Sequence, residues 1–266
     1  MEQAKRFHKK DLERLQRFCL MDDDFMSKCF EDNLECTELV VHIVLNRDDL
    51  KIQQVHTQHQ IKNLQGRSIV LDIYAVDQNG KRYNIEIQRA DRGAGAKRAR
   101  YNSSLMDANL TSPGDRYENL AETYVIFITE KDVLGKKEAL YHIDRVIQET
   151  GELFGDEAHI LYVNGEYQEN TPLGNLMRDF HCTDPKKMQY RPLAERARYF
   201  KENEKGVATM CKMMEDMRKE ADLEARKSVA LDMIRDGKLP LEEIAKYFKL
   251  SLDEIKELAE QDNESK

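Results

Sequence analysis

At 266 residues, with 40% hydrophobic residues, 35% charged residues and a formal net charge of -8, the chain has the composition of a water-soluble globular protein. No apolar run reaches the roughly eighteen residues a membrane span needs, and the charged segment from Met1 to Leu20 is no signal peptide, so a cytoplasmic location without a membrane partner is expected. Cys19, Cys29, Cys36, Cys182 and Cys211 are odd in number and lack CxxC spacing, which argues against a disulfide frame or zinc knuckle, as the acidic balance does against broad electrostatic binding to nucleic acid.

The first residues, to about Phe18, read as a helix, and Asp22 to Asp24 give an acidic cap. A second helix is expected from Phe25 to Leu45, because Phe30, Leu34, Val41 and Val44 recur at helical intervals. Glu31, Glu35 and Glu38 lie along it, and one of them could lean over a sheet. Lys51 to Lys62 alternates weakly and reads as a first strand ending before Gly66. His56 and His59 are three apart, so on a strand they face opposite sides and make a poor metal pair.

Ile69 to Gln88, IVLDIYAVDQNGKRYNIEIQ, reads as a hairpin that carries two carboxylates among apolar strand positions. Side chains alternate with period two, so Asp72 shares a face with Val70, Tyr74 and Val76, while Glu86 shares one with Asn84 and Gln88. A two-residue loop at Asn79-Gly80 would put the acids on opposite faces of the sheet. A three-residue loop of Gln78, Asn79 and Gly80, with Gly80 in the left-handed position, sets Asp77 against Lys81 and Asp72 across from Glu86. The three-residue form is the expected one. Directly opposed carboxylates repel unless a cation sits between them, and such hard oxygen ligands suit magnesium or manganese.

Arg89 to Arg100 follows with five basic residues, Arg89, Arg92, Lys97, Arg98 and Arg100, against Asp91 alone. A phosphate backbone could dock there, although a charge run also suits a solvated helix start. Ala96 to Leu110 is the next expected helix, ended by Pro113-Gly114. Thr123 to Thr129 is a continuous apolar run, as in a strand buried on both faces. Ala158 to Val163 adds another strand, turned by Asn164-Gly165. Beyond Thr171 the chain reads as helical over Leu173 to Phe180, Leu193 to Phe200 and Gly206 to Arg235. There Met210, Met213, Met214 and Met217 form an apolar stripe for packing on the body or in a homodimer. The tail reads as two short helices joined near Leu250, like a helix-turn-helix. Asp253 and Glu254 at the start of its second helix favour packing over DNA reading.

With Asp72 in one strand, an Asn-Gly turn and Ile85-Glu86-Ile87-Gln88 in the next, the chain resembles the PD-(D/E)XK nuclease superfamily, in its branch of transposases and recombination-promoting nucleases of the Rpn type. The resemblance covers about Asp22 to Thr129. It implies an α/β fold with a restriction-endonuclease-like core of helix, three-stranded antiparallel meander, helix and strand, over residues 1–170. A mainly helical extension, 171–266, would follow. By the same resemblance Asp72, Glu86 and the Ile87 carbonyl would hold Mg2+ or Mn2+, and Glu35 or a neighbour would be the first-helix acid. Gln88 stands where most of the superfamily has Lys, and offers neutral hydrogen bonds in place of a positive charge. Arg98 and Arg100 would steady DNA phosphates, with Tyr101 stacking or hydrogen-bonding nearby. The implied activity is metal-dependent DNA cleavage with little sequence preference. The rivals are a non-catalytic binding scaffold on the same fold, and a regulator that acts through its C-terminal helices.

Overall fold

The computed structural model describes residues 7–63, 66–89 and 93–264. The chain divides into two compact units, one of residues 12–207 and one that joins the residues up to Asp11 to those from Ala208 onward.

Three helices open the chain, α1 (Lys9–Arg17), α2 (Asp23–Phe30) and α3 (Leu34–Leu45). The single helix expected over Phe25 to Leu45 is therefore two. Asp32 takes a left-handed φ of 52°, and Asn33 caps α3 by accepting a 3.0 Å hydrogen bond from the Cys36 N–H.

A mixed six-stranded sheet carries the unit of residues 12–207. β1 (Ile52–Ile61), β2 (Ile69–Asp77) and β3 (Arg82–Gln88) form an antiparallel meander. Helix α4 (Ala96–Leu110) then crosses to β4 (Thr123–Thr129), which pairs parallel to β3. Next come β5 (Leu140–Ile143) and β6 (Ala158–Asn164), and the spatial order is β1-β2-β3-β4-β6-β5. This is the helix, meander, helix and strand order of a PD-(D/E)XK nuclease-like fold. The four residues of β5, LYHI, are too few for periodicity to signal a strand.

The β2–β3 turn takes the three-residue form. Gly80 has a φ of 80°, and the Asp77 N–H donates to the Lys81 carbonyl at 3.2 Å. Asp77 also holds the turn with its buried side chain. Its Oδ1 accepts from the N–H groups of Asn79 and Lys81, and its Oδ2 from the Tyr83 hydroxyl, all within 2.8 to 3.0 Å. The ladder then pairs Val76 with Arg82 and Ile73 with Ile85. The paired residues end there, one short of Asp72 and Glu86.

Helix α4 covers the face that carries Glu86. Ala99, Leu105 and Met106 pack there with Val125, Phe127 and Tyr162, each large apolar side chain contributing roughly 1.5–3 kcal/mol. Helices α2 and α3 pack on β1. Helices α5 (Pro172–His181) and α6 (Arg191–Glu202) extend that layer, since α5 packs on α3 and α6 on both α2 and α3. The compact unit accordingly continues to residue 207.

β1 departs from plain alternation at Gln58, whose φ is 51°. His56 and His59, expected on opposite sides, instead stack with ring centroids 5.7 Å apart, and His59 stacks on Tyr74 at 4.7 Å.

The long helix α7 (Glu204–Asp236) is followed by α8 (Leu241–Phe248) and α9 (Leu252–Glu264). Ala230, Ile244, Ala245, Leu250 and Ile255 make the small core there. Lys249, with a φ of 52°, turns the chain between α8 and α9, and Ser251 with Glu254 forms a capping box at the start of α9. Met210 and Met214 are buried. Among the described residues no helix is long and apolar enough to cross a membrane.

Candidate active site

Glu86 is wholly buried on the central strand β3, and Asp72 is half-buried on β2. The backbone ladder between the two strands reaches Ile73 and Ile85. At the acids a side chain takes part in the pairing, because the Ile87 N–H donates to the Asp72 carboxylate at 2.9 Å. Burial raises the Asp72 pKa to about 7, helped by the negative charges of Glu86 and Asp23 and opposed by the Ile87 N–H and Arg98. Burial also raises the pKa of Glu86, while Arg98 and the neighbouring Asn84 favour its charged form.

Helix α4 supplies the donors for Glu86. Arg98 and Asn102 are four residues apart and so share a helix face. Arg98 Nη2 donates to Glu86 Oε2 at 2.6 Å, and Asn102 Nδ2 donates to Glu86 Oε1 at 3.4 Å. Arg98 Nη1 donates to the Gly93 carbonyl at 2.9 Å and to Gln88 Oε1 at 3.3 Å. Its guanidinium also lies 5.9 Å from the Phe127 ring centroid. Arg98 is therefore engaged within the carboxylate cluster.

Beside this cluster lies an open groove of about 1250 Å³, lined among others by Arg67, Lys97, Arg98, Arg100 and Tyr101. Lys97 and Arg100 are exposed, and among the described residues neither is paired with a carboxylate. Tyr101 lines the groove but also fastens its wall. Its hydroxyl donates to the Arg67 carbonyl at 2.5 Å and accepts from Asn63 Nδ2 at 3.0 Å. Of the other basic residues in that run, Arg89 pairs with Asp22 at 2.5 Å and with Glu130 at 3.4 Å. Arg92 lies outside the described residues.

Asp23 opens helix α2. Its charge acts on both Asp72 and Glu86, its own pKa is raised by burial, and it accepts a 3.3 Å hydrogen bond from Gln58 Nε2. Glu35 sits exposed in the first turn of α3 and is not among the charges acting on Asp72 or Glu86. Asp23, in the run read as a helix cap, is therefore a second candidate for the helix acid beside Glu35. Asn102 was also missed, and its signal was the four-residue spacing from Arg98.

Asp72 and Glu86 both feel one guanidinium, that of Arg98, and hard oxygen donors of this kind fit magnesium or manganese. Among the described residues no three carboxylate, imidazole or thiol side chains converge as a ready metal cluster. Asp72 and Glu86 would therefore need main-chain and water oxygens beside them, as magnesium commonly keeps.

Residues 37–236 match the model of the PD-(D/E)XK nuclease family transposases, and the chain belongs to that family. Membership supports a nuclease or transposase-related function, and nucleases of this kind generally use divalent metals and act on DNA. No curated protein and no solved structure matches the chain.

Proposed function

We propose that this protein is a metal-dependent endonuclease that hydrolyses DNA phosphodiester bonds with little sequence preference. The observation that carries the reading is the pair of acids Asp72 and Glu86, close enough on the neighbouring strands β2 and β3 to act on each other's charge, beside a groove bearing Lys97 and Arg100. Asp72, Glu86 and the Ile87 carbonyl would hold Mg2+ or Mn2+, with Asp23 adding negative charge to the site. When bound, the metal would polarise a phosphoryl oxygen and lower the pKa of an attacking water. Hydrolysis adds that water across the P–O bond: its oxygen bonds to phosphorus, and the ester oxygen leaves with the electron pair and takes up a proton. Lys97 and Arg100 hold backbone phosphates, which positions the strand without reading its bases.

The competing reading is a nuclease-fold scaffold that binds DNA without cutting it. It is favoured by the neutral Gln88 and by the engagement of both Glu86 oxygens with Arg98 and Asn102. Incubating supercoiled plasmid and magnesium with the protein and with its Asp72→Ala and Glu86→Ala variants separates the two. Nicking by the wild type alone is the expected result. Equal activity in all three sinks the site assignment.

A further inference from the structure

Phosphodiester hydrolysis gathers negative charge on the phosphoryl oxygens, and a preorganised cation is the main way a protein chain stabilises it. The strand position two past Glu86 holds a neutral amide, Gln88. In this chain that amide is turned onto a guanidinium.

Gln88, Gly93 and Arg98 fit one another as a set. Gln88 Oε1 and the Gly93 carbonyl both accept from Arg98 Nη1, at 3.3 and 2.9 Å. A Cβ on Gly93 would lie 1.8 Å from Gln88 Oε1 and 3.4 Å from Arg98 Nη1, so any other residue there moves the Gln88 amide from its place on the guanidinium. On its other edge Arg98 Nη2 meets Glu86 Oε2 at 2.6 Å. These contacts, two of them to neutral carbonyl oxygens, fix one side chain between the buried acid and the groove, where it keeps 40% of its surface exposed. A residue needed only to tether distant phosphates, as Lys97 and Arg100 do, has no use for such fixing.

We infer that Gln88 and Gly93 position Arg98, and that Arg98 supplies the positive charge at the reacting phosphate. The inference rests on phosphodiester hydrolysis at Asp72 and Glu86. Gln88 is on this account a positioning residue that leaves the water untouched.

The test uses the full chain and its variants Arg98→Gln, Arg98→Lys, Gly93→Ala, Gln88→Lys and the double variant Gln88→Lys/Arg98→Gln, each checked for cooperative melting. Two quantities are measured: single-turnover cleavage of a short DNA duplex with manganese at saturating protein, and affinity for the same duplex in EDTA. Arg98→Gln is expected to slow cleavage on the order of 100-fold, with duplex affinity kept within about threefold. Arg98→Lys, which keeps the charge, should retain more of the rate, and Gly93→Ala, which pushes Gln88 aside, should lose part of it. The double variant, which returns a cation from the strand side, should regain at least about tenfold over Arg98→Gln. A double variant no faster than Arg98→Gln overturns the inference. So does a loss of affinity matching the loss of rate, since Arg98 would then be a phosphate tether. If the wild type cuts no faster than Asp72→Asn, hydrolysis itself fails and takes the inference with it. That outcome is recognisable because the deficit is already present in the unaltered chain.

Discussion

Arg98 and Glu86 form an ion pair at 2.6 Å in which the guanidinium is 40% exposed and the carboxylate wholly buried. The two partners are therefore unequal in stability. Arg98→Ala leaves a buried acid with Asn102 and Asn84 for company, whereas Glu86→Gln lets Arg98 turn towards water. Urea denaturation at pH 8 is expected to show Arg98→Ala less stable by about 1–3 kcal/mol, a buried-pair cost discounted for the exposed partner. Glu86→Gln should change stability by less than about 1 kcal/mol. Because the folded-state pKa of Glu86 is raised, lowering the pH protonates it in the fold first. The Arg98→Ala deficit should then shrink towards pH 5. A deficit constant with pH would contradict this account.

Asp72 holds its charge poorly. With its folded pKa lifted to about 7, above the ordinary carboxylate value, ionisation opposes folding above that pH, and the penalty fades as the pH falls through 7. Asp72→Asn is accordingly expected to melt roughly 2–6 °C above wild type at pH 8. The gap should narrow between pH 7 and pH 4, and DNA cleavage should be lost throughout. Thermal melts across that range check the sign, and an Asp72→Asn protein that melts lower at pH 8 would refute it.

Asp23 and Glu35 make opposite predictions. Asp23→Asn removes a negative charge that raises the pKa of Asp72 and Glu86. The pH midpoint for manganese binding should move down, and affinity at pH 8 should fall on the order of tenfold. Glu35→Gln should alter neither, and calorimetric titration of the two variants side by side decides between the acids.

Gly80 pins the hairpin register at a φ of 80°, and a Cβ added there would meet no atom within 4 Å. Gly80→Ala should cost about 1–2 kcal/mol from backbone conformation alone, and Gly80→Asn should recover much of that loss. Equilibrium denaturation of both variants is sufficient. An alanine variant as stable as wild type would mean that another residue sets the turn.

Lys97 and Arg100 should govern salt dependence. Replacing either with Gln is expected to reduce the slope of log affinity against log salt by about 1, without changing which duplex sequences are preferred.

The core was legible where the pattern was local and strong. Asn79-Gly80 located the turn while leaving its length open between two and three residues, and the run from Ala96 to Leu110 gave α4 from end to end. The apolar run Thr123 to Thr129 gave β4. What escaped was settled by single backbone angles that leave hydrophobic periodicity intact. The left-handed Asp32 divides α2 from α3, so Asp23 and Glu35 open two different helices. Gln58 does the same on β1, where one positive φ brings His56 and His59 together. The role of Arg98 was hidden for another reason. Its run of basic residues reads as one surface patch, and only packing of α4 on the sheet shows that, of the three that line the groove, Arg98 is held by Glu86.

The Ile87 N–H, donated to a side chain, gives the protein an internal reporter. Its exchange with solvent deuterium depends on whether the Asp72 carboxylate is available to accept that proton, so an event at the acids is written into one amide signal. The rate at Ile87, compared with the ladder amide of Ile85 on the same strand, distinguishes a local change at the acids from general loosening of the sheet.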